Sequence, residues 1–83
     1  MPYHKDKQQA FQAAQQGVAQ AKNIHEQLDP TSPEYGHYVK QLKQEINEAI
    51  QQIENALEVA SETQRETLYE YHGEINEMKQ DVE

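Results

Sequence analysis

From Tyr35 to Ala60, apolar residues recur at alternating steps of four and three, as Tyr35, Val39, Leu42, Ile46, Ala49, Ile53, Ala56 and Ala60. The pattern restarts out of register as Leu68, Tyr71, Ile75, Met78 and Val82. Steps of four and three keep side chains on one face of an α-helix, so the spacing predicts helices packed side by side at small crossing angles. Such a seam dictates an architecture, a helical bundle, and says nothing of an activity.

Upstream, Phe11, Ala14, Val18, Ala21, His25 and Leu28 repeat at the same steps, with Ala10 and Ile24 widening the stripe. This is an amphipathic first helix over about 5–28. Its face is rich in alanine, and Gly17 costs it a further ~1 kcal/mol relative to alanine, which tertiary packing must offset. Small side chains let a neighbouring helix approach closely. Pro30 and Pro33 then bracket Thr31 and Ser32. The residue before a proline is pushed out of the helical region, so Asp29 ends the first helix. Ser32, Pro33 and Glu34 read as N-cap, N1 and N2 of a second helix over about 33–60.

The junction between Leu57 and Leu68 admits two architectures. Ser61-Glu62-Thr63-Gln64 and Thr63-Gln64-Arg65-Glu66 both match the capping box, in which a hydroxyl and an amide or carboxylate three residues later satisfy each other's free backbone N–H groups. Neither proline nor glycine enforces a break, however. Ile50, Ile53, Leu57, Ala60, Gln64, Leu68, Tyr71 and Ile75 also describe one seam through a single helix of ~70 Å. That alternative is a hairpin with one long second helix, whose Leu68, Tyr71, Ile75 and Met78 require a second chain to cover them. With a turn near 60–63 and a third helix over about 63–82, the lengths come to roughly 37, 39 and 31 Å, matched well enough to close within one chain. The expected fold is therefore all-α, an antiparallel three-helix bundle in one domain over 1–83. Tyr38, Ile50, Leu57 and Val59 broaden the second helix's stripe, which makes it the central helix.

Composition narrows the function classes. A chain of 83 residues buries only about 60 to 65% of its unfolded surface, too little for a large enzyme cleft. Fifteen acidic residues against seven basic ones give a net charge of −8, so the field repels phosphate backbones and anionic headgroups. Direct nucleic-acid or membrane binding is not expected. Cysteine is absent, which removes disulfides and thiolate zinc sites and suits a reducing cytosol. Met1-Pro2-Tyr3-His4-Lys5 leads into no apolar run of signal-peptide length. A cytoplasmic protein is expected.

Family likeness enters through three segments: the short glutamine-bearing first helix, the Glu34-Tyr35 opening of the second, and Thr63-Gln64-Arg65-Glu66-Thr67-Leu68-Tyr69. In these the chain resembles the small uncharacterised YtzC-like proteins of Bacillus and relatives. That family has no assigned activity to carry over. The resemblance implies a Gram-positive cytoplasmic origin and a turn just before Gln64.

Catalytic and metal chemistry find little support. Glu34 and His37 form a Glu-x-x-His pair of the kind that ligates metals in carboxylate bundles. A closed site needs a second copy and further inward glutamates, whereas the acids here lie mainly opposite the seams. Glu34 then serves the helix N-terminus, and His37 is solvated. His25, on the core side of the first helix, reads as a hydrogen-bonded boundary residue, the alternative being a pH switch. No nucleophile elbow, phosphate loop or paired catalytic carboxylates are present. No enzyme activity, cofactor or metal is expected.

Two surfaces remain. Gln12, Gln16, Gln20, Asn23 and Gln27 form an uncharged stripe on the first helix, suited either to solvent or to a partner helix. On the third helix, Tyr69, His72, Gly73 and Asn76 turn away from the seam, and Glu62, Glu66, Glu70, Glu74 and Glu77 form an acidic edge. Net charge runs +1, −4 and −5 over residues 1–28, 29–60 and 61–83, which makes the third helix the acidic element. A partner-binding face of Glu66, Tyr69, Glu70, His72 and Glu74, fitted to a basic protein, is the reading these residues suggest. The competing readings are a self-associating coiled-coil hairpin and a small metal or ligand carrier. A monomer is favoured over a homodimer.

Overall fold

Among the described residues three helices form: α1 (Lys7–Glu26), α2 (Tyr35–Leu57) and α3 (Glu62–Val82). The computed structural model describes residues 7–82. The Lys5 start expected for the first helix, and the residues before it, lie outside them. Ala49, midway along α2, packs against Gly17, midway along α1. Lys43 and Ile46, early in α2, meet Lys79 and Val82 at the end of α3. His25 near the end of α1 reaches Asp81 near the end of α3. Hence α2 runs antiparallel to both neighbours, while α1 and α3 run parallel. The antiparallel three-helix bundle is the fold, and the long second helix does not form.

The core is the seam. Ala14, Val18 and Ala21 from α1, Leu42, Ile46, Ala49, Ile53 and Ala56 from α2, and Leu68, Ile75, Met78 and Val82 from α3 are buried together. Phe11, Ile24, Leu28, Val39, Ile50, Leu57 and Tyr71 pack around them. As the broad stripe on α2 requires, α2 touches both neighbours, and the α1–α3 interface is the least extensive. One aromatic contact reinforces it, Phe11 against Tyr71 with ring centroids 6.2 Å apart, within the favourable range for such pairs. At Gly17 a Cβ would stand 3.3 Å from Ala49 Cα and 3.5 Å from its Cβ. The bare glycine is what lets α1 and α2 come this close, and that contact offsets its propensity cost.

Each helix end has an identifiable cause. α1 stops at Glu26, two residues before the Leu28 limit expected, because its last turn tightens: the Gln27 and Leu28 N–H groups donate to Ile24 and His25 carbonyls three residues back. Asp29-Pro30-Thr31-Ser32 then forms a turn closed by Ser32 N–H donating to the Asp29 carbonyl at 2.9 Å, with Asp and Pro at their favoured positions. Asp29 Oδ1 also accepts from the Thr31 N–H at 3.0 Å and hydroxyl at 2.7 Å. These two bonds, the hydroxyl's first, hold the Asp29 carboxyl below its ordinary value of 3.8.

The second helix starts and stops inside its expected limits of 33 and 60. Ser32 Oγ does accept a free N–H, that of Glu34 at 3.1 Å. The Ser32 carbonyl, however, takes the Tyr35 N–H in a four-residue turn, so Pro33 belongs to the lead-in, Glu34 stands at the N-cap without a side-chain bond, and helical geometry begins at Tyr35. At the other end Val59 N–H donates to the Ala56 carbonyl at 3.2 Å, which tightens the chain out of the helix.

Of the two overlapping capping boxes, the first is used. Ser61 Oγ accepts the Gln64 N–H at 3.3 Å, and Gln64 Oε1 accepts the Ser61 N–H at 3.1 Å. The Arg65 N–H then closes the first helical bond on the Ser61 carbonyl at 2.9 Å. Thr63 lies inside the first turn of α3, past the cap. Ser61→Ala is therefore expected to cost about 1–2 kcal/mol, and Thr63→Ala less than about 0.5 kcal/mol. Chemical denaturation of the two variants checks this, and equal losses would contradict the cap assignment.

Candidate protein-binding face

The residues singled out on α3 divide into an outward face and two flanks. At 100° per residue, Tyr69, Glu66, Glu70 and Glu77 all project within about 60° of Gly73. All five are exposed. Tyr69 is 61% accessible, the one large hydrophobic side chain left exposed among the described residues. Seam packing explains this placement: Leu68 and Ile75 are fully buried, and the side of the helix opposite them has no covering helix among the described residues.

Glu74 and His72 do not belong to that face. Glu74 turns to α1, where its Oε1 lies 3.1 Å from Lys22 Nζ and its Oε2 is covered without a hydrogen bond. Successive four-residue steps drift by 40° around a helix, so the series 62, 66, 70, 74 winds through about 120° and carries its last member to the α1 side. That drift was the available signal that the acidic edge is not one line. His72 is half-buried, and its Nδ1 lies 3.2 Å from Asn76 Nδ2. An amide nitrogen donates, so Nδ1 accepts and the ring is engaged one turn along its own helix.

Across the α1–α3 groove His25 Nε2 sits 2.8 Å from Asp81 Oδ2. His25 is thus the hydrogen-bonded boundary residue its position suggested. Pairs this exposed contribute about 0–1 kcal/mol each. The shared core therefore does most of the work of holding α3 to α1, and the pairs align it. Nothing in the sequence marks them, because their partners are 52 and 56 residues apart.

The concavities are small. One of about 160 Å³ lies between α2 and α3, bordered by Lys43, Ile46, Asn47, Lys79 and Val82. Another of about 250 Å³ lies between α1 and α3, beside Lys22, His25, Glu26, Glu74, Glu77, Met78 and Asp81, so exposed Glu77 stands at the edge shared by this groove and the outward face. Both fall below the roughly 300 to 1,000 Å³ of small-molecule sites; a third, of about 340 Å³, reaches that range but is bordered by α2 alone, at His37, Lys40, Gln41 and Gln44. Glu34 and His37 are exposed, and His37 lies edge-on to Tyr38, with centroids 6.0 Å apart. Among the described residues no three His, Asp or Glu side chains are grouped closely enough to hold a metal ion, and no helix is long and apolar enough to cross a membrane. The glutamine stripe is exposed along its length. No protein-family model, curated protein or solved structure matches the chain.

Proposed function

We propose that the chain is a protein-binding module whose recognition surface is the outward face of α3. Tyr69 carries this reading. A large amphipathic ring left in solvent, with two rotatable bonds to fix, offers a partner much contact area at small entropic cost. Covering the exposed part of it would contribute about 2–3 kcal/mol at ~25 cal/mol per Å². Glu66 and Glu70 beside it favour a basic partner and mainly speed its association. In this reading the domain acts without catalysis or cofactor, as a cytoplasmic monomer. Closure of the seam within one chain supports the monomer, since Leu68 and Ile75 need no second copy to cover them.

A pull-down from bacterial cytosol tests the proposal by comparing the wild-type chain with Tyr69→Ala and with the double reversal Glu66→Lys, Glu70→Lys. The expected result is a protein retained by the wild type and lost or sharply depleted with both variants, while circular dichroism shows the helices intact. A partner retained equally by all three proteins would place the binding surface elsewhere.

A further inference from the structure

Resting on that reading, we infer that the partner presents a basic helix, and that it crosses α3 closely at Gly73. A glycine deep in a helix is destabilising unless something uses its missing side chain. Gly17 shows how this molecule uses one: Ala49 of the crossing helix stands where a Cβ would crowd it, at 3.3 Å. Gly73 lies equally deep, near the middle of α3, and has no positive φ that would call for glycine. A Cβ built there meets nothing within 4 Å. Neither a turn nor a contact among the described residues accounts for it. Gly36, the remaining helical glycine, also faces open space but lies in the first turn of α2, where the fraying end blunts any propensity cost.

Gly73 therefore repeats the Gly17 device on a face of α3 that α1 and α2 leave open, one turn from exposed Tyr69. The occupant follows from charge. Glu66, Glu70 and Glu77 surround the glycine, so a second copy of this face is repelled, and so is a nucleic acid. A helix bearing Lys or Arg on its flanks is attracted. By analogy with Ala49 opposite Gly17, its residue at the crossing is small, since two backbones approach closely only if neither side chain intervenes.

The test uses a phage-displayed library of helical peptides of about 20 residues, ~30 Å long, panned on the full chain. Affinities of the selected peptides are then measured by calorimetry. Peptides rich in Lys and Arg with a central Ala, Gly or Ser are expected, and their Kd should rise at least about tenfold on Gly73→Leu and stay unchanged on Gly36→Leu. Melting curves confirm that both variants fold. Peptides weakened by Tyr69→Ala and by Glu66→Lys with Glu70→Lys, but indifferent to Gly73→Leu, would keep the face and overturn the close crossing. Peptides indifferent to all of these changes, or a library that yields no binder, would overturn the face and the crossing together.

Discussion

Ile53→Ala is expected to destabilise the bundle by about 4–5 kcal/mol and Ile46→Ala by about 2–3 kcal/mol, although the two residues occupy equivalent seam positions on α2. Both are fully covered, at 0% and 1% accessibility. The lost transfer free energy of the deleted carbons is the same at the two sites, so the difference lies in the space left behind. Ile46 already borders the groove between α2 and α3, with the long side chains of Lys43 and Lys79 at its rim. A void there opens to solvent and to flexible chains that can fill it. Ile53 borders none of the grooves described above, and its void remains a closed cavity. For a domain of this size the larger loss is much of the total stability. Urea denaturation with a common m-value measures both. A loss below about 1 kcal/mol at both sites would mean that the seam faces away from the core, and equal losses would mean that the groove gives no relief.

The seam was legible because burial of one helix face imposes a period that any reader of the chain can count. Leu42, Ile46, Ala49, Ile53 and Ala56, and then Leu68, Ile75, Met78 and Val82, form the core they spell out. The first turn was legible for a comparable local reason, since Asp29-Pro30 forbids helical continuation whatever surrounds it. The second junction was legible only in outline: the two boxes are equally good as strings, and which hydroxyl caps depends on where α2 unwinds. Registry between α1 and α3 was not legible at all. Lys22 with Glu74 and His25 with Asp81 are set by how two helices separated by a third come to lie together, and no local pattern encodes that. Sidedness on α3 was half legible, since periodicity placed Tyr69 outside but the drift of the glutamate series put Glu74 beside α1.

The largest contrast expected from a single type of substitution is between the two deep glycines. Gly17→Val should destabilise by about 2–3 kcal/mol. Its Cβ would lie 3.3 Å from Ala49 Cα, a backbone atom that moves only if α1 and α2 separate, and a γ-carbon pressed toward the same atoms adds overpacking worth about 1–3 kcal/mol. Against this the change recovers only a few tenths of a kcal/mol of helix propensity, because valine is itself a modest helix former. Gly73→Val meets no atom within 4 Å and should leave stability unchanged or raise it by the same few tenths, while Gly73→Ala should raise it by about 0.5–1 kcal/mol. Thermal melts of the three variants suffice, since each kcal/mol moves the Tm of a domain this small by about 4–8 °C. A Gly17→Val chain as stable as the wild type would mean that the helices slide apart at no cost, and the close α1–α2 approach would then not be what fixes the bundle. A Gly73→Ala chain less stable than the wild type would mean that the glycine serves the fold after all, which would remove the reason for placing a partner's helix against it.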